Sequence, residues 1–193
     1  MTIRNTEQRW GAVHQTLHWL IVAMAIAQLT VGFIFSDLPD NDPTRPVLFR
    51  AHTTLGVTIV LVIVIRLLWR LTNPVPTLPD ILASWQKVLA HTTHYLLYFL
   101  LIAMPIVGYL TVNAAGHPVP FFTVELPAVI GKSAVLKDIL APIHSAGAFV
   151  LIALVVLHAA AALRHEFLLK DNTLRRMTPL PLRQTPPKAS GRT

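Results

Sequence analysis

The chain has 193 residues, of which 53% are hydrophobic and only 13% are charged. Soluble proteins carry about a quarter charged residues, so this composition excludes an ordinary soluble domain and predicts an integral membrane protein. The chain has no cysteine, which excludes disulfides, Cys-ligated iron–sulfur clusters and thioether-attached haem, and leaves nine histidines as candidate metal ligands.

Four apolar stretches follow in chain order, at residues 17–35, 51–69, 88–112 and 140–163. At 1.5 Å per residue, each is long enough to cross a hydrocarbon core of about 30 Å. A backbone in lipid must satisfy its own hydrogen bonds, so each stretch predicts a transmembrane helix. The first is too long for a cleavable signal peptide and is expected to be retained. The sequence therefore predicts an all-α, four-helix membrane bundle over residues 1–177, with a disordered cytoplasmic tail at 178–193.

Basic residues indicate the orientation of the four spans. Twelve Lys and Arg residues, against four Asp and Glu, lie on the side of the N-terminus, the join at 72–80 and the C-terminus. The opposite side has four basic and five acidic residues. By the positive-inside rule, both termini are expected in the cytoplasm. The basic surplus is then a topology signal, and no nucleic-acid partner is expected.

Two histidines in the fourth span point to two separate binding centres. His144 and His158 are 14 residues apart, which places them about 40° apart around the helix and about 21 Å apart along it. One metal cannot bind both, but two centres stacked across the bilayer can. At the outer level, His52 near the start of the second span is the best partner for His144. At the inner level, the spacing leaves three candidate partners for His158, namely His18, His91 and His94.

Two imidazoles per centre favour a b-type haem, because the porphyrin supplies the other four iron ligands. Zinc usually takes three or four protein ligands, which makes a histidine-based metal transporter the more remote reading. Gly56 and Gly147 follow His52 and His144 at helical spacing and would let a flat macrocycle approach the backbone. Arg50, two residues before His52, is a candidate partner for a haem propionate, or it extends its charge to the membrane surface.

Four segments carry a resemblance to a known family: LHWL at 17–20, AHTTLG with RLLWR at 51–70, AHTTHYLLYFLLIAMPIVGY at 90–109, and LHAAAALRHEFLLKDNTLRRM at 157–177. They are similar to the bacterial cytochrome b561 family over about residues 8–178. The stand-alone members are the better match. The cytochrome b subunits of Ni-hydrogenase and formate dehydrogenase share the four-helix core and make an anchor or relay subunit of a larger redox complex the alternative.

The resemblance implies two non-covalent b haems with bis-histidine ligation. Carried over by position, the ligand pairs are His18 with His158 on the inner side and His52 with His144 on the outer side. His91 and His94 match histidines that are not usual ligands in the family. The resemblance also implies one-electron transfer in the bacterial inner membrane, with quinone as one partner and superoxide as a donor described within the family. A redox partner protein or a homodimer is compatible with this reading.

Overall fold

The computed structural model describes residues 2–77 and 82–183. Its main elements are four long helices, α1 (Ala12–Asp37), α2 (Arg45–Leu71), α3 (Ser84–Ala114) and α4 (Ala134–Arg164). Each is long and apolar enough to cross a membrane, which confirms the predicted all-α four-helix membrane fold. A small hairpin, β1 (Val119–Phe121) and β2 (Val124–Leu126), joins α3 to α4. One π-helical turn (His165–Leu169) and one 3-10 turn (Arg175–Met177) follow α4.

Every helix extends beyond the apolar stretch that predicted it, because local signals outside the hydrocarbon region set the helix ends. At α2, Pro46 lies in the first turn, where its fixed φ favours a helix and its missing N–H costs nothing. At α4, the hydroxyl of Ser133 accepts a hydrogen bond from the backbone N–H of Leu136, which is an N-cap interaction. Hydropathy alone finds the membrane-crossing part of a helix and misses these polar first turns.

The helices pack in chain order, and this leaves room for a ligand on one side of the bundle. Close backbone packing joins α1 with α2, α2 with α3, and α3 with α4, whereas α1 and α4 stay farther apart over the described residues. Ile59 and Ile63 of α2 form the buried centre. Large apolar side chains such as Leu61 and Ile65 remain exposed on the outside, as expected for a surface that contacts lipid.

The hairpin is fastened to the beginning of α2. The Thr53 hydroxyl donates to the Pro120 carbonyl at 2.7 Å, and the Phe122 backbone N–H donates to the Thr54 hydroxyl at 3.0 Å. Phe122 adopts a φ of 49° in the turn. Strands of three residues give too short an alternation to be recognised in a sequence, so the hairpin was not predicted. We call this end of the bundle the hairpin end.

The opposite end holds the first residues of the chain and the segment after α4, and we call it the terminal end. The Trp19 indole N–H donates to the Met177 carbonyl at 2.7 Å. Glu166 accepts hydrogen bonds from two arginines, Arg175 at 3.0 Å and Arg183 at 2.6 Å. Residues 184–193 of the predicted tail, and 78–81 of the second join, lie outside the described residues. The cytoplasmic location of this end stays a prediction from charge.

Candidate functional site

The two histidines predicted at the outer level lie together at the hairpin end. His52 of α2 and His144 of α4 have ring centroids 6.1 Å apart, with the ring planes at 80° to each other. The two residues are 92 positions apart in the sequence. The fold therefore brings together the two histidines that were predicted to lie at the same depth. They meet across the space between the α1–α2 helix pair and the α3–α4 helix pair.

Two glycines on the neighbouring helices allow these rings to pack against backbone. A Cβ on Gly32 of α1 would lie 2.9 Å from Cε1 of His52, and a Cβ on Gly108 of α3 would lie 2.9 Å from Cε1 of His144. Both distances are too short for real contacts. Helical spacing predicted Gly56 and Gly147 instead, but Gly56 faces Gln28 and Pro105 in the structure. The glycines that matter for the rings lie on the other helices, where spacing along one helix cannot find them.

His144 has a hydrogen bond that fixes its orientation. Its Nδ1 lies 3.1 Å from the backbone carbonyl oxygen of Met104, one turn before Gly108 on α3. A carbonyl only accepts, so Nδ1 donates and Nε2 is left with a lone pair. Histidines that bind metals usually donate their other ring N–H in this way. The arrangement therefore presents Nε2 of His144 as a ligand.

Gln28 is a polar neighbour of His52 that the sequence analysis missed. Its amide nitrogen lies 3.2 Å from Nε2 of His52, and its amide oxygen is buried without a partner among the described residues. Nδ1 of His52 is also buried without such a partner. A polar side chain in the apolar middle of α1 is a signal that could have identified this residue.

Cavities lie on two sides of the hairpin-end pair. One has a volume of about 430 Å³ and is lined mostly by α1, α3 and α4, and the other has a volume of about 150 Å³ and reaches Val119 of the hairpin. Both are lined by His52, His144, Gln28, Phe35 and Pro105. Space on two sides of an imidazole pair suits a flat macrocycle whose centre lies between the rings.

A second histidine pair occupies the terminal end. The ring centroids of His18 on α1 and His158 on α4 are 6.3 Å apart, with the planes at 75°. His94 of α3 also approaches His158, at 5.2 Å between centroids. His91, one turn earlier on α3, is exposed and stacks with Tyr95 instead. Two of the three candidate partners of His158 thus contact it in the fold.

The ring spacings fit two imidazoles on one iron. A metal–imidazole bond of about 2.0 Å, and about 1.1 Å from the nitrogen to the ring centroid, put two trans rings about 6 Å apart. Both pairs match this value, at 6.1 and 6.3 Å. Within the described residues, no group of three or more His, Cys, Asp or Glu side chains is arranged to hold a metal ion. The histidines thus fit a haem better than a zinc site built from protein ligands alone.

Arg50 and the histidines in polar segments make other contacts. The Arg50 guanidinium is exposed and donates to the Phe122 carbonyl at 2.9 Å, which ties it to the hairpin. His117 is exposed. His165 lies beside Asp171, with Nδ1 2.5 Å from the carboxylate. Burial raises the pKa of Asp171, but hydrogen bonds from Thr173 and His165 outweigh it and hold the pKa below its usual range.

Comparisons with known proteins identify the family of the chain. The family model described as prokaryotic cytochrome b561 matches residues 9–180. Cytochrome b561 homolog 2 of Escherichia coli K12 is 30% identical over 178 residues, covering 92% of this chain and 95% of that protein. The probable superoxide oxidase CybB of Yersinia pestis is 29% identical and cytochrome b561 homolog 1 of Escherichia coli K12 is 27% identical, each over 89% of this chain and 97% of the relative.

This chain belongs to the prokaryotic cytochrome b561 family, because the family model covers nearly all of it. It is accordingly a multi-pass protein of the inner membrane that binds haem b and takes part in electron transport. The predicted family, membrane location and class of cofactor are confirmed.

Proposed function

We propose that the chain holds two b haems, one between His52 and His144 and the other between His18 and His158. In this proposal it transfers single electrons between a donor at the hairpin end and the quinone pool. The observation that carries the proposal is the pair of ring spacings, 6.1 and 6.3 Å, at opposite ends of one bundle.

The residues of the chain would bind the haem iron, orient the histidine rings and bury the haem. Haem bound at these positions would supply the one-electron chemistry, because its iron changes between ferric and ferrous states. Met104 and Gly108 hold the His144 ring with Nε2 available. Two imidazoles at each centre would leave no iron position open, which favours electron transfer over oxygen binding.

At the terminal end, the ring spacing supports His18 rather than His94 as the partner of His158. The His18 ring lies at the separation of about 6 Å that two trans imidazoles require. The His94 ring, at 5.2 Å, is too close for an iron to lie between the two nitrogens in line. The resemblance to the family independently favours His18.

Superoxide is our proposed donor. The support is the similarity to the Yersinia pestis protein named as a probable superoxide oxidase, together with two exposed cations at the hairpin end, Arg50 and Lys132. A small anion is attracted by positive charge at a surface. The quinone acceptor rests on the family resemblance.

The test is a dithionite-reduced minus air-oxidised spectrum of the detergent-solubilised protein, with haem quantified per chain. We expect two low-spin b haems in the unaltered chain, one in His18→Ala or His144→Ala, and two in His94→Ala. His117→Ala, at an exposed histidine, is the control and should keep both. One haem in the unaltered chain, or loss of haem in His94→Ala, would contradict the proposed pairs. The donor is tested separately, by adding enzymatically generated superoxide and following the reduction of ferric to ferrous haem by its absorbance.

A further inference from the structure

A cluster of cations and aromatic side chains fills the terminal end of the bundle beside the His18–His158 pair. Its centre is Arg66, which lies within the apolar part of α2. The Arg66 guanidinium is 3.5 Å from Nε2 of His14, and its carbon lies 5.5 Å from the centroid of the Tyr98 ring. Arg70, one turn later, lies over the rings of Trp10 and Tyr98, at 5.5 and 6.0 Å. We call these residues the Arg66 cluster.

Several polar groups of the Arg66 cluster are buried without a partner. His14 is completely buried, stacks on Trp10 at 4.0 Å, and has no hydrogen bond to its Nδ1. Nε of Arg66 and the Tyr98 hydroxyl are also buried and unpartnered among the described residues. A buried polar group without a hydrogen bond is destabilising, so several in one place indicate that a ligand completes the site.

The charge of the cluster is also uncompensated within the described part of the chain. The ion pairs found there involve Arg45, Arg175, Arg183 and His165, and none reaches Arg66 or Arg70. A cation within a membrane span is costly unless it is paired. The site therefore favours an anion with oxygen acceptors.

The position of the cluster indicates which anion this is. His14 lies one helical turn before His18 on α1. The Arg66 guanidinium, 3.5 Å from His14, is thus placed at the same end of the bundle as the His18–His158 pair. A b haem brings two propionate carboxylates, which equal the two guanidiniums in number and are opposite in charge. Guanidinium groups bind carboxylates well because their planar N–H donors match the two oxygens.

We propose that Arg66, with Arg70 and His14, binds the propionate carboxylates of the haem held by His18 and His158. This inference rests on the proposed function, since it requires a haem at the terminal end. Arg66 would also raise the reduction potential of that haem, because a nearby positive charge favours the ferrous state over the ferric state. Arg50, the propionate partner predicted from the sequence, lies at the hairpin end and would serve the other haem.

The test compares haem b with its dimethyl ester, in which both propionates are uncharged. Haem-depleted protein in a His52→Ala background, which should bind only the terminal-end haem, is titrated with each form. We expect the ester to bind about tenfold or more weakly to this protein, and the difference to become clearly smaller when Arg66→Gln is added, since Arg70 and His14 remain. Arg66→Lys should keep more of the difference than Arg66→Gln. Arg164→Gln, at an exposed arginine of the same end, is the matched control and should keep all of it.

A second readout is the reduction potential of the bound haem b, which Arg66→Gln should lower and Arg164→Gln should leave unchanged. Equal binding of haem b and its ester would overturn the inference, and this arm needs no substitution at Arg66. A reduction potential that Arg66→Gln leaves unaltered, with quinone reduction lost, would also overturn it and assign the cluster to quinone. Failure of the His52→Ala protein to bind any haem would instead refute the proposed function.

Discussion

Substitution of Gly108 by alanine tests how the hairpin-end pair is positioned. The new Cβ would lie 2.9 Å from Cε1 and 3.2 Å from Nδ1 of His144. An ordinary contact begins at 3.4 Å, so the ring must move by about 0.5 Å. This motion is directed away from α3, and it would stretch the 3.1 Å hydrogen bond from Nδ1 to the Met104 carbonyl beyond a useful length.

The cost of Gly108→Ala should fall on haem binding more than on the helix. Crowding a packed site costs about 1–3 kcal/mol, and an unpartnered buried donor costs about as much. Alanine in a helix interior stabilises the helix by up to about 1 kcal/mol relative to glycine. A net loss of about 2 kcal/mol at the site corresponds to roughly 30-fold weaker haem retention at the hairpin end.

The assay is haem content per chain and the haem dissociation rate, with the transfer of haem to an acceptor protein followed by absorbance. Gly131→Ala is the matched control, because a Cβ at that position meets nothing within 4 Å. We expect Gly108→Ala to lose one haem selectively and Gly131→Ala to keep both. Two haems in Gly108→Ala, with unchanged dissociation rates, would refute the argument that Gly108 sets the position of the His144 ring.

Two further predictions concern the ring planes and the ion pair after α4. The imidazole planes of the two histidine pairs lie at 75° and 80° to each other, which predicts an electron paramagnetic resonance signal dominated by one large g value for both ferric haems. A rhombic signal with three resolved g values would indicate near-parallel rings and contradict this prediction. Asp171 has a lowered pKa in the fold, so its stabilising contribution is complete above its unfolded pKa of about 4 and is lost as pH falls through the lower folded pKa. The melting temperature of the unaltered chain should therefore exceed that of Asp171→Asn by a constant margin from pH 5 to 7, and the margin should shrink below pH 4. A margin that already disappears between pH 7 and 5 would contradict this reading.

The fold and the candidate ligands were predictable because they depend on local chemistry. An apolar stretch of about 20 residues has few alternatives to a membrane-crossing helix. The helical period then sets the relation between His144 and His158 on one helix, and the order of the spans sets the depth of His52. The number of haems and the roles of the four histidines remain predictions, but the residues that carry them are visible in the sequence.

Contacts between helices could not be read from spacing along one chain. His158 has two histidine neighbours, and the distances of 6.3 Å to His18 and 5.2 Å to His94 arise from how α1 and α3 pack against α4. The same holds for Gly32 and Gly108, each of which faces a ring on another helix. Spacing along one helix predicts only the small residues that lie beside a histidine on that same helix.

The hairpin and the Arg66 cluster also depend on contacts between segments that are distant in the sequence. Arg66 and His14 are 52 positions apart, and in the sequence Arg66 is visible only as one of the twelve basic residues that indicate orientation. The role of Arg50 as a haem partner stays a prediction, and its hydrogen bond to the hairpin could not be read from the sequence. Hydrophobicity and helical period act within one segment, and they set the four helices and the depth of each histidine. Pairing between side chains depends on the rotation and separation of packed helices, and these arise only when the bundle assembles.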